Sequence, residues 1–159
     1  MHEGYIADYR SSDGKRQIPP VTLADWLRAE GSLEVFLSGD SRRALFRFSF
    51  RNLVPDSVYT VMSLREQDLA TENPSRPGPL GIPNVFITDH DGNADYWAEL
   101  PDPFPAHERN DNRVINVVVL YMSSRQSYGG AIGLYGLGGD IHAHLKLKSR
   151  SFDELITVK

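Results

Sequence analysis

From residue 32 onward the apolar side chains recur at every second position, and this period constrains the fold more than any other feature of the chain. Arg43–Arg51 displays it most clearly. Ala44, Phe46, Phe48 and Phe50 share one side, and Arg43, Arg47, Ser49 and Arg51 the other. Successive side chains of an extended strand point to opposite faces, so the segment reads as a strand with one buried and one wet face. Leu33, Val35 and Leu37 repeat the pattern over residues 32–38, and Gly39-Asp40 supplies turn chemistry, which predicts a hairpin. Residues 58–64 and 141–147 read as further strands. Residues 84–88 and 94–100 read as a second hairpin about Asp89-His90-Asp91-Gly92-Asn93. Val114–Met122 is apolar on both faces, which predicts a central strand. The tail 152–158 adds an edge strand.

The helical signal lies at the start. Thr22-Leu23-Ala24-Asp25 has the form of a capping box with Asp for Glu, and Leu23, Trp26 and Leu27 follow at helical spacing. With Gly31 as a stop, this predicts a short helix over 23–30 with Trp26 on the core. Residues 1–21 read as a polar N-terminal arm ending near Pro19-Pro20, leaving 22–159 as a single domain. A Pro-rich loop spans 65–83, a polar loop 101–112, and six glycines lie between Gly129 and Gly139. Many short strands joined by turns predict an all-β fold, two antiparallel sheets packed as a β-sandwich. A partly open β-barrel is the alternative.

Composition removes several functions. The 17 Lys+Arg against 21 Asp+Glu leave a net charge of −4, which disfavours a nucleic-acid backbone as partner. The absence of cysteine excludes thiolate catalysis, disulfides and cysteine-bound zinc. The longest apolar run, 117–122, is strand-sized, so no membrane span is expected. Met1-His2-Glu3-Gly4-Tyr5 has neither the basic nor the apolar part of a signal peptide.

Candidate chemistry is sparse. In His142-Ala143-His144 the two imidazoles sit two apart and project from one face of a strand, a spacing that can share a divalent metal. Asp140 and His90 would have to complete such a site, in a redox or hydrolytic role, and Lys146 and Lys148 share the same wet face. Asp89, Asp91 and Asp95 superficially resemble a calcium loop, but Gly92 and Leu100 stand where that loop needs other residues, so a turn is the better reading. The glycines of 133–139 precede a strand rather than a phosphate-binding helix. No Gly-x-Ser-x-Gly elbow is present. A non-enzymatic role is therefore favoured over an enzyme, and no cofactor is expected beyond a possible divalent metal. Trp97, Tyr128 and Tyr135 fall on or beside the loops and suit stacking on a glycan or packing on a protein partner. A structural part in an exported assembly is the remaining class. Convergence of the Pro-rich, Asp-Gly and glycine loops on one pocket would mark a ligand site, and their scattering an inert scaffold.

Several phrases carry a resemblance. They are Thr22-Leu23-Ala24-Asp25-Trp26 with Gly31, then Leu53-Val54-Pro55-Asp56-Ser57-Val58-Tyr59-Thr60-Val61, then Gly78-Pro79-Leu80-Gly81. Asp89-His90-Asp91-Gly92-Asn93-Ala94, Leu120-Tyr121 and Ser127-Tyr128-Gly129-Gly130 complete the series. In these the chain resembles a group of mostly exported bacterial and archaeal β-sandwich proteins that brings no activity with it. The resemblance extends to the plan shared by immunoglobulin-like and copper–zinc superoxide dismutase-like sandwiches, and implies export. The dismutase's full metal-histidine set has no counterpart here. Met122 and Ser124 stand where the group carries a His and an Asp.

Overall fold

The computed structural model describes residues 21–106, 112–123, 127, 141–148 and 152. The order is α1 (Leu23–Trp26), β1 (Glu30–Leu37), β2 (Arg43–Arg51), β3 (Val58–Arg65), a 3-10 turn (Glu66–Leu69), β4 (Gly78–Pro79), β5 (Val85–Ile87), β6 (Ala94–Pro101), β7 (Val114–Met122) and β8 (Ile141–Lys146). They form two antiparallel sheets, one ordered β1-β2-β6 and the other β4-β3-β7-β8 with β5 also on β3. No pairing joins the sheets among the described residues, so the arrangement is a sandwich and the barrel alternative falls.

The alternation in β2 explains the first sheet. Ala44, Phe46, Phe48 and Phe50 are buried, whereas Arg43, Arg47 and Arg51 are exposed. β1 and β2 form the expected hairpin, with Ser38 Oγ donating to Asp40 and accepting from the Arg43 amide at its turn. In the second sheet β7 is central, between β3 and β8. It is apolar on both faces because it serves two clusters. Val117, Val119 and Tyr121 join the main core, while Leu120 and Met122 pack with Met62, Val58 and Val118 on the outer face. Burying Phe46, Tyr59, Phe104 and Tyr121 between the sheets contributes about 2–3 kcal/mol per side chain in transfer free energy.

The fold corrects three local expectations. Residues 85–87 and 94–101 do not pair with each other: β5 joins β3 and β6 joins β2, so the Asp-Gly turn carries the chain from one sheet to the other. Phe86 and Tyr96 then face each other across the core, with ring centroids 5.8 Å apart. The helix stops at Trp26, and Gly31 lies inside β1 rather than capping the helix. A Cβ on Gly31 would lie 3.0 Å from a ring carbon of Phe50, closer than ordinary van der Waals contact. Val21, placed in the arm by its neighbours, is a core residue. Thr22 does cap the helix, accepting from the Asp25 amide, and Trp26 packs 6.3 Å from the Tyr121 ring. The proposed arm before Val21 and the tail strand, Phe152 apart, lie outside the described residues.

Strand directions place the loops. Val58, Met122 and Ile87 lie at one end of the second sheet, together with the turns 52–57 and 88–93. The Pro-rich segment leaves β3 at the other end, beyond Arg65, and returns along the β3 edge through β4 and β5. It does not converge with the Asp-Gly turn. The glycine loop lies outside the described residues. No described helix is long and apolar enough to cross a membrane.

Candidate binding face

The outer face of the three-stranded sheet is organised in cross-strand rows set by register. Ser32, Ser49 and Asp95 form one row, Glu34, Arg47 and Trp97 the next, and Phe36, Leu45 and Glu99 the third. Side chains directly opposite on neighbouring strands interact, so each row is a unit. The carboxylates of the two flanking rows are engaged. Ser49 Oγ donates to Asp95 at 2.7 Å, Arg51 from the neighbouring row lies 3.8 Å from the same carboxylate, and Arg43, one row beyond, bonds Glu99. That of the middle row is not. Among the described residues, the side chains of Glu34, Arg47 and Trp97 make no hydrogen bond or ion pair.

Trp97 is 71% exposed, in contrast to the buried Tyr96 and Ala98 beside it. Alternation alone accounts for that: Tyr96, Ala98 and Leu100 take the inner face of β6, so Trp97 has nowhere to go but outward. It forms a wall common to two grooves. One, of about 480 Å³, lies on the sheet face and is lined by Ser32, Glu34, Arg47, Ser49, Arg51 and Asp95. The other, of about 670 Å³, lies along the β6 edge and is lined by Pro79, Ile82, Pro83, Val85, Leu100 and Pro101. Both fall in the size range of ligand sites, roughly 300–1,000 Å³.

The edge groove is held rigidly. Tyr96 donates its hydroxyl to the carbonyl of Leu80, with the Pro83 carbonyl 3.2 Å away. Burial pushes the Tyr96 phenol up to about 12. Gly81, at φ +96°, lies so close that a Cβ there would sit 2.4 Å from the Tyr96 hydroxyl and 2.6 Å from the Ala98 Cβ. Ile82, next in the chain, is 98% exposed.

The residues singled out from the sequence do not assemble into one site. Tyr128, Tyr135 and Asp140 lie outside the described residues, and of His142 only its place in β8 is described. His144 is exposed on the outer face of the second sheet, opposite Leu120, with Lys146 beyond it. Ala143 and Leu145 pack against the core, so the alternation read for β8 holds. His90 is engaged elsewhere: its Nδ1 lies 2.8 Å from Asp56 Oδ2, and that carboxylate holds the imidazole's pKa above its usual value. Among the described residues no three His, Asp or Glu side chains gather to hold a metal ion. Tyr59, Tyr96, Phe104 and Tyr121 are core residues.

Of the residues on this face, Trp97 stood out in the sequence, and Glu34, Arg47 and Ile82 did not. Arg47 was visible as a wet-face residue; its position opposite Trp97 was not, because that needs the β2–β6 register. Ile82 carried no signal beyond sitting among prolines. No protein-family model matches this chain, and no curated protein matches it in sequence.

Proposed function

We propose that the chain is a non-enzymatic binding module that holds a glycan on the outer face of its three-stranded sheet. The observation that carries this reading is the exposed row Glu34–Arg47–Trp97, whose side chains make no hydrogen bond or ion pair among the described residues, beside carboxylates that are engaged. A sugar ring offers an apolar C–H face and a rim of hydroxyls, each able to donate and accept. Trp97 supplies the plane, Arg47 the donors, Glu34 the acceptors, and Ser32 either. Arg47 and Arg51 balance Glu34 and Asp95 in charge, which suits a neutral ligand. A protein partner is matched less well, since Glu and Asp are depleted at the centre of a protein interface, and here Glu34 and Asp95 line the groove beside the exposed ring.

Probing a glycan array with the whole chain tests the reading. Capture of neutral glycans is expected, and Trp97→Ala or Arg47→Ala should weaken it by about tenfold or more, the loss of one central contact. Both variants should melt within ~2 °C of the parent, because neither side chain is part of the core. Failure to capture any glycan, or capture that both variants retain, overturns the proposal.

A further inference from the structure

We infer that the free edge of β1 docks an extended peptide, which joins the three-stranded sheet as a fourth, antiparallel strand. Its apolar side chains alternate into the groove between β1 and β8, and lysine or arginine stands opposite Glu34. The inference is independent of the glycan reading.

An edge strand offers a row of unpaired amides and carbonyls, and proteins blunt such edges with short strands, proline, lysine or a covering segment. Three of the four described sheet edges are blunted in these ways. β4 is the two-residue strand Gly78-Pro79, and β8 carries Lys146. β6 ends in Pro101 and is flanked by residues 80–83, which touch Tyr96 and Ala98. β1 has none of these devices. It runs eight residues, Glu30–Leu37, without proline, lysine or a break in register, and among the described residues it pairs with β2 alone. The Ser38 amide donates to the Arg43 carbonyl at 2.9 Å, which fixes the parity of the ladder. Glu30, Ser32, Glu34 and Phe36 therefore direct their backbone groups at β2, and Gly31, Leu33, Val35 and Leu37 direct theirs at the free edge. Only another extended backbone complements such a row.

The side chains around this edge state what the strand carries. A groove of about 550 Å³ separates β1 from β8, with apolar walls that include Leu33, Phe48, Phe50, Val119 and Leu145. Glu30 and Ser32 stand on its β1 rim, and Lys146 and Lys148 on its β8 rim. A strand on the β1 edge turns every second side chain to the side of Leu33 and Val35, into these walls. The side chains between them lie on the outer face, beside the only charged residues of β1, Glu30 and Glu34. Opposite charges in a cross-strand pair stabilise it, so this face selects a basic residue. Lys146 does not oppose that choice, since it lies on the outer face of the other sheet, opposite Val118. Every described pairing in the molecule is antiparallel, and the same geometry is assigned to the added strand.

Fluorescence anisotropy of the full chain with a dye-labelled, amidated peptide Lys-Val-Lys-Val-Lys-Val-Lys tests this, and saturable binding is expected. In an antiparallel pair the valine amides face β1 and the lysine amides face away. N-methylation of the three valines should therefore weaken binding by about tenfold or more, and N-methylation of the lysines should leave it unchanged. The two peptides carry the same charge, so the comparison separates strand pairing from mere attraction to a chain of net charge −4. Glu34→Lys, at an exposed position, should weaken the basic peptide by about threefold or more and strengthen the Glu-Val-Glu-Val-Glu-Val-Glu counterpart. Absence of binding, equal sensitivity to the two methylation patterns, or indifference to Glu34→Lys overturns the inference. A chain that sediments as a dimer, becomes a monomer as Val35→Pro and takes no peptide overturns it too, because the edge then belongs to a second copy.

Discussion

Gly92 rests against the backbone of Leu53: a Cβ on this glycine would lie 2.1 Å from the Leu53 carbonyl oxygen, at φ +76°. The contact is the centre of a clamp between two turns that belong to different parts of the chain. The Leu53 amide donates to the Gly92 carbonyl at 2.9 Å, and the Asp56 amide donates to the Asp89 carbonyl at 3.1 Å. Asp89 Oδ1 accepts from the amides of Asp91 and Asn93, which shapes the turn itself. This clamp fixes the point where the chain leaves β5 in one sheet and enters β6 in the other.

Gly92→Ala is therefore expected to destabilise the protein by about 3 kcal/mol, combining left-handed backbone strain with a steric clash against main chain that has nowhere to move. Gly39→Ala, at a glycine with open space around it, should change stability by less than about 0.5 kcal/mol. Urea unfolding of the two variants measures the difference.

Tyr96→Phe removes the donor to the Leu80 carbonyl and should cost about 1–3 kcal/mol, the penalty for a buried acceptor left unpaired. The same phenol gives a pH signature. Its pKa is raised by burial from 10.0 to about 12, so its contribution to stability is complete below pH 10 and declines as pH rises from there through 12. Comparing the alkaline stability of parent and Tyr96→Phe reads that decline directly.

His90 offers a second titration at milder pH. Asp56, through its hydrogen bond and its charge, raises the imidazole pKa above 6.5. Its stabilising effect is then complete below pH 6.5 and lost as pH climbs through the raised value. Both groups are in water, so the effect is best followed on the ring itself. In Asp56→Asn, the His90 C–H resonance should titrate at a lower pH than in the parent by NMR.

Trp97→Ala and Phe46→Ala separate surface from core. Phe46 is fully buried, with Phe104 and Phe152 rings 6.0 and 6.1 Å away, and its truncation should cost about 3–5 kcal/mol. Trp97, although larger, should cost less than about 1 kcal/mol because it is mostly in water already. Equal losses of stability would mean that Trp97 is a packing residue.

Much of the architecture was legible from short-range pattern. β2 and β7 match their expected limits residue for residue, because a nine-residue alternation or a doubly apolar run admits one strand reading. The Thr22 cap and the core position of Trp26 were legible for the same local reason. Ser57 and Thr88 show where that reach ends: the Ser57 amide donates to Thr88 Oγ1 at 3.0 Å across 31 residues, a bond invisible in either segment alone. Of the candidate face, Trp97 was legible as an aromatic near a turn; its partners Glu34 and Arg47 became neighbours only through register.

For β1, β2 and β8 the sequence by itself determined which side packs on the core, since that depends only on the geometry of consecutive residues along an extended backbone. Tertiary structure alone decided which strands pair beyond the β1–β2 hairpin, that the Asp-Gly turn crosses between sheets, and that Glu34, Arg47 and Trp97 stand in one row. The physical reason is that a strand's hydrogen-bonding edges are the same for every partner. The choice among partners falls to the packing of side chains distant in sequence, such as Phe86 against Tyr96.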